Sequence, residues 1–231
     1  PTTVEFRKSD LTTGVELDGA TLTVLDKDGN EIDKWTSVKG EPHIIKRLHV
    51  GETYILREEF APYGYLKAEE VEFTITDTAE IQKVEMKDDV PIGRIIINKK
   101  GEFLSEVSWN DMVAGAMDSI WGYVTGSLKD VTFEIYARED IKAADGESDD
   151  YYKKDELVAT IKTDELGIAR TDDLPLGKYY VVEKETADGF VLDGEPRDID
   201  LTYRDQDTPV VTFDSESVSY THLRAHETLM N

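Results

Sequence analysis

Cysteine is absent from the sequence. Its absence excludes disulfide bonds, thiolate zinc sites and cysteine nucleophiles. Long apolar runs are absent as well: none approaches the roughly 18 residues that a membrane-spanning helix needs, so we expect no such helix. Small domains that function outside the cell without disulfides need another source of rigidity.

Basic residues are scarce relative to acids. Lys and Arg number 26 against 50 Asp and Glu, which gives a net charge of −24 at neutral pH. A charge of this sign repels the phosphates of nucleic acids and anionic lipids. We therefore predict no nucleic-acid partner and no membrane contact. The excess of acids favours solubility, and an acidic site for a basic partner is the alternative.

The sequence pattern is typical of an all-β protein. Stretches rich in Val, Ile, Thr, Tyr and Phe recur between turn dipeptides such as Asp28-Gly29 and Asp188-Gly189, as in β-sandwiches. Only residues 109–123 break the pattern, with apolar side chains at helical spacing. They predict a short helix or an ordered insertion.

One internal repeat organises the 231-residue chain. Tyr54 and Glu58 recur as Tyr179 and Glu183, and a glycine follows each glutamate at the same distance. The offset of about 125 residues is too long for a solenoid and indicates two homologous domains. We predict domains at residues 1–90 and 91–217.

The alternation of side chains along three predicted strands of the first domain places an ionisable residue at the end of each apolar face. The residues on these faces are Val4, Phe6 and Lys8, then Tyr54, Leu56 and Glu58, then Val84, Met86 and Asp88. If the three strands are neighbours, burial lowers the pKa of the lysine and raises those of the acids. Lys8 then becomes a nucleophile towards the Asp88 carboxyl, Glu58 acts as the catalytic proton shuttle, and loss of water leaves an amide. Alternation alone leaves open that Lys8 and Asp88 are strand-end residues in solvent.

Three segments carry a family resemblance: Phe6-Arg-Lys8-Ser-Asp10, Leu17-Asp-Gly19-Ala20 and Glu58-Glu-Phe-Ala-Pro62-Tyr-Gly-Tyr65. Together they resemble the Cna B-type, or SpaA-like prealbumin-fold, domains of Gram-positive surface adhesins and pilins. The resemblance implies two tandem Greek-key immunoglobulin-like β-sandwiches in a secreted, cell wall-associated protein. It also implies a Lys8–Asp88 isopeptide bond with Glu58 as the catalytic acid.

The second domain repeats only part of this set. Lys99 corresponds to the donor and Glu183 to the catalytic acid, but the core-facing phase of the last apolar stretch ends on Ser215. We therefore expect the second domain to lack its last strand and Lys99 to be an unpaired donor. Residues 218–231 show no alternation and resemble translated sequencing-adapter read-through, so we interpret them as an artefactual tail.

The resulting functional hypothesis is a structural stalk or spacer, not an enzyme, whose partners are neighbouring domains of the same surface protein. The chain begins at Pro1 without Met, and we expect it to be an internal fragment. We expect no cofactor and no metal, since the spaced pair His222 and His226 falls in the tail. The alternative is an adhesin domain that binds a host protein or glycan near Trp109 and Trp121. A third possibility is an accessory module of a secreted hydrolase.

Overall fold

The computed structural model describes residues 2–107 and 120–219, with side chains for 2–103 and 124–217. Internal contacts divide the chain into two units. The first contains residues 2–92 together with 142–151 and 202–211, and the second contains the other described residues. Every named element of the described part is a β-strand, as the sequence pattern predicts. Within it, no helix has the length and hydropathy that crossing a membrane requires.

Two sheets make up the first unit. One has the order β4-β1-β7, in which β1 lies antiparallel to β4 and parallel to β7. The other has the order β3-β2-β5-β6 and is antiparallel throughout. The strands are β1 (Thr3–Asp10), β2 (Thr21–Leu25), β3 (Glu31–Thr36), β4 (His43–Lys46), β5 (Thr53–Phe60), β6 (Val71–Thr74) and β7 (Gln82–Asp88).

The core of the first unit lies between these sheets because alternate residues of each strand are apolar and turn inward. Phe6 of β1 packs against Trp35 of β3 and Phe73 of β6, with ring centroids 5.3 and 5.4 Å apart. Val4, Leu22, Val24, Leu56 and Met86 are among the fully buried members of the same cluster.

A tight turn joins β2 to β3. Gly29 has a φ of 82°, a conformation that costs glycine little because it has no Cβ. The Asp26 carboxylate accepts hydrogen bonds from the backbone N–H groups of Asp28 and Asn30, both at 2.9 Å. Such side-chain turns fix the register of the hairpin.

The second unit is also built from two sheets. The first has the order β11-β10-β14-β15. The second has the order β12-β8-β13, and β9 and β16 also pair with β8. The strands are β8 (Ile92–Val107), β9 (Ile120–Ser127), β10 (Thr132–Ala137), β11 (Leu157–Lys162), β12 (Ile168–Arg170), β13 (Leu174–Pro175), β14 (Gly177–Glu185), β15 (Arg197–Leu201) and β16 (Val210–Ser219).

Two expectations about the second domain need correction. β16 takes the position beside β8 that β7 takes beside β1, so the last strand, which was expected to be missing, is present. Strand pairing depends on backbone hydrogen bonds, which serines supply as well as apolar residues do. Residues 120–123 begin β9 rather than end a helix, because they pair with the long strand β8. The rest of the predicted segment, residues 109–119, lies outside the described residues.

Candidate cross-link sites at the strand ends

The first candidate site lies at the C-terminal ends of β1, β5 and β7. β1 and β7 are parallel neighbours in which Lys8 lies opposite Met86 and Asp10 opposite Asp88. Asp88 therefore shares the inner face with Lys8 and lies two residues beyond Met86, the partner of Lys8 on β7. Glu58 reaches the same point from β5 in the facing sheet. All three side chains are buried, with residue exposures of 3% for Lys8 and 0% for both acids.

The Lys8 ammonium lies between the two carboxyl groups. Its Nζ is 3.0 Å from Glu58 Oε1 and donates a short hydrogen bond to Asp88 Oδ1. The second oxygen of Glu58 accepts a hydrogen bond from the backbone N–H of Ala68 at 2.7 Å. Asp88 Oδ2 is buried and finds no hydrogen-bond partner among the described residues. Lys8, Glu58 and Asp88 therefore meet in the interior, and Lys8 and Asp88 are not solvent-exposed strand-end residues.

The environment of Asp88 favours its protonated form. Burial raises the pKa of the Asp88 carboxyl to about 7, the Lys8 ammonium opposes this rise, and the neighbouring Glu58 carboxyl adds to it. A protonated carboxyl is a better electrophile than a carboxylate. Glu58, at hydrogen-bond distance, can accept the proton that Lys8 must lose before it attacks. The arrangement thus has the groups that amide formation requires.

A second contact at this end of the unit was missed by sequence reasoning. The Tyr65 hydroxyl donates a hydrogen bond to Asp10 Oδ2 at 2.7 Å. The other oxygen of Asp10 accepts from the backbone N–H groups of Thr12 and Thr13. Burial, and then the hydrogen bond to Asp10, raise the pKa of the Tyr65 hydroxyl, so it stays a donor. The contact ties the turn after β1 to the segment after β5. Asp10 and Tyr65 each end one of the segments that carry the family resemblance, and this was the sequence signal that could have indicated their contact.

The second candidate site lies on β8, β14 and β16. Lys99 Nζ donates hydrogen bonds to Glu183 Oε2 at 2.6 Å and to Ser217 Oγ at 3.1 Å. It also lies 5.9 Å from the centroid of the Phe133 ring, within cation–π range. Lys99 and Glu183 therefore meet as predicted. The third group is Ser217, which the sequence analysis missed although it continues the phase of Ser215 by two residues.

Other predicted site residues fall outside the description. The side chain of Trp121 and all of Trp109 lie there, as do His222 and His226. Among the side chains described, those of residues 2–103 and 124–217, no group of three or more His, Asp or Glu is arranged to hold a metal ion.

The two units define a class of protein. Each has two β-sheets, the last strand beside the first, and a buried Lys–Glu pair, and the two-sheet arrangement is that of a β-sandwich. The chain belongs to the SpaA family of prealbumin-like fold domains, whose model matches residues 2–90 and 123–217. The family prediction is thereby confirmed. No curated protein sequence matches the chain significantly.

Several solved structures are similar to this chain. The Bacillus anthracis TIE protein aligns with a TM-score of 0.56 and 22% identity over 95% of this chain, which spans 34% of that protein. GBS52, the minor pilin of Streptococcus agalactiae, is 13% identical, with a TM-score of 0.36 and coverage of 96% of both chains. BcpA, the major pilin subunit of Bacillus cereus, is 13% identical with a TM-score of 0.36, over 93% of this chain and 98% of that one. At these identities, the first alignment supports the fold alone.

Proposed function

We propose that this chain is a structural stalk or spacer of an extracellular, cell wall-associated protein of the adhesin or pilin type. It consists of two tandem domains, residues 1–90 and 91–217, and an amide between Lys8 and Asp88 closes the first. The observation that carries this proposal is the buried Lys8 ammonium in contact with both Glu58 and Asp88. A buried charge trio is costly as a purely structural element, because desolvation offsets much of the attraction. Chemical use of the trio accounts for its presence.

The reaction is a condensation that needs no cofactor. Glu58 takes a proton from the Lys8 ammonium, and the free amine attacks Cγ of the protonated Asp88 carboxyl. The new bond joins Nζ to Cγ, and the C–O bond to the departing hydroxyl breaks. Glu58 returns its proton to that hydroxyl, which leaves as water, and the second proton of the attacking nitrogen is released to solvent. Ammonium plus protonated carboxyl thus becomes amide, one water and one proton, with no change in oxidation state.

The bond stabilises the domain and changes the path of force through it. Lys8 and Asp88 are 80 residues apart in sequence, so closing this loop stabilises by about 4.5 kcal/mol on the chain-entropy model used for disulfides. Force that enters through β1 leaves through β7 by way of the amide. The strands between them are shielded, as suits a spacer between neighbouring domains of the same surface protein. Reducing agents leave an amide intact.

Intact mass spectrometry tests this proposal. We expect the purified parent chain to be lighter than its sequence mass by one water. Lys8→Ala and Glu58→Ala variants should show their full sequence masses. Lys87→Ala is the matched control, because Lys87 is exposed on β7 next to Asp88, and it should keep the loss of water. A parent chain at its full sequence mass would overturn the proposed bond.

The alternative function, binding of a host protein or glycan, stays a prediction. It depends on an exposed aromatic surface near Trp109 and Trp121, whose side chains lie outside those described. Retention of the chain on a glycan or host-matrix array, and its loss in a Trp121→Ala variant, would favour it.

A further inference from the structure

Among the described side chains of the second unit, Lys99 contacts the catalytic-acid equivalent Glu183 and no second carboxyl. Lys99 and Glu183 are buried, with exposures of 1% and 5%, and Ser217 is 8% exposed. The described hydrogen bonds of Lys99 Nζ go to one Glu183 oxygen and to the Ser217 hydroxyl. Glu183 Oε1 is buried without a hydrogen-bond partner among the described residues. One carboxyl oxygen of the site is therefore left unused.

Ser217 occupies the place of the missing acceptor. Ser217 lies on β16 beside β8, as Asp88 lies on β7 beside β1. Ser217 contacts Lys99 of β8, and Asp88 contacts Lys8 of β1. The Oγ of serine and the Cγ of aspartate are each bonded directly to Cβ. An aspartate at position 217 in the same rotamer therefore puts its carboxyl carbon near the present Oγ, which is 3.1 Å from Lys99 Nζ. That separation falls within the roughly 3–3.5 Å of a near-attack geometry.

There is also room for the extra oxygens. A cavity of about 20 Å³ is lined by Glu183, Ser215 and Ser217 among others. A void of this size exceeds the roughly 10–15 Å³ that one water needs. An added carboxyl or carboxamide oxygen at position 217 therefore has space in the cavity that Glu183 and Ser217 line.

We propose that the second unit is a cross-link site complete except for its acceptor, in which Ser217 keeps Lys99 as a free ammonium. The inference rests on the chemistry proposed for Lys8 and Asp88. In Ser217→Asp, Glu183 takes a proton from Lys99 and Nζ bonds to Cγ of the new protonated carboxyl; the C–O bond breaks as Glu183 gives its proton to the hydroxyl, which leaves as water, and the second amine proton is released to solvent. In Ser217→Asn, the same bond forms, the C–N bond of the carboxamide breaks, Glu183 gives its proton to the leaving amino group, which departs as ammonia, and the second amine proton is again released.

The natural chain then has one covalent and one non-covalent domain. In the second unit, β16 is held to β8 by its ladder and by the hydrogen bond from Lys99 to Ser217. This unit is the one that opens first under load or denaturant. The stalk thus combines a fixed segment with an extensible one.

The experiment compares full-length Ser217→Asp and Ser217→Asn variants with the parent by intact mass and peptide mapping. We expect a further loss of one water in the first variant and of one ammonia in the second. Peptides containing Lys99 and position 217 should be joined. Thr212→Asp, at an exposed position of the same strand, is the matched control, and it should lose nothing beyond the parent. Adding Lys99→Ala to Ser217→Asp should abolish the second loss.

The outcomes separate this inference from the proposed function. Peptide mapping reports the Lys8–Asp88 pair and the Lys99–217 pair independently, so either can fail alone. Folded Ser217→Asp and Ser217→Asn variants without a second bond would overturn the inference. Failure of both variants to fold would also overturn it, since the inference requires room for an acceptor. A Lys99 already cross-linked in the parent chain would refute the free ammonium.

Discussion

Glu58→Gln separates the cross-link from the fold that surrounds it. The substitution preserves the shape of the side chain but removes the carboxylate that lies 3.0 Å from Lys8 Nζ. Without this proton acceptor, the amide between Lys8 and Asp88 does not form. The first unit then loses the constraint on the 80-residue loop, which corresponds to about 4.5 kcal/mol.

This loss is large enough to measure by calorimetry. For a domain of this size, each kcal/mol shifts the melting temperature by about 4–8 °C, so the first unit should melt roughly 20–35 °C lower in Glu58→Gln than in the parent. The transition of the second unit should not move. Glu72→Gln, at an exposed position of β6, is the control and should melt with the parent. A Glu58→Gln chain that carries no bond by mass yet melts within a few degrees of the parent would refute the loop-entropy reasoning.

Two further predictions concern the buried charges. In Glu58→Gln, Asp88 stays unbonded, and burial still raises its pKa, so the folded state binds the proton more tightly than the unfolded state. Stability of the first unit should therefore fall as pH rises above about 4, and urea unfolding of Glu58→Gln/Asp88→Asn should show no such fall. In the second unit, Glu183→Gln leaves the buried Lys99 ammonium without its counter-charge and should cost about 3–5 kcal/mol in urea unfolding. Glu165→Gln, in an exposed ion pair, should cost at most about 1 kcal/mol, and equal losses would contradict the buried pairing.

Alternation along single strands was enough to select Lys8, Glu58 and Asp88. Parity is a local property, and it assigned each residue to the inner face correctly. It did not reveal that β7 lies beside β1, because the pairing of residues 80 apart depends on tertiary packing. The family resemblance supplied that neighbourhood, and the structure places the three groups in contact.

The second domain shows where local patterns mislead. The core-facing apolar positions of the last stretch end at Ser215, and the prediction was therefore that the second domain lacks its last strand. The structure continues β16 to Ser219 because backbone pairing with β8 does not require apolar side chains. Extending the alternation by two residues would have found Ser217. Similarly, helical spacing within residues 109–123 gave way at residues 120–123 to pairing with β8, as tertiary context often overrides propensity.

The parallel pairing of β1 and β7 also determines how the first unit resists extension. Registered pairs run from Val4 with Gln82 to Asp10 with Asp88. Because the strands run in the same direction, a pull on the start of β1 and the end of β7 slides one strand along the other. The ladder bonds between them are then strained together in shear instead of opening one at a time from an end. For the proposed amide, this ladder would hold a newly folded domain in register while Lys8 and Asp88 react.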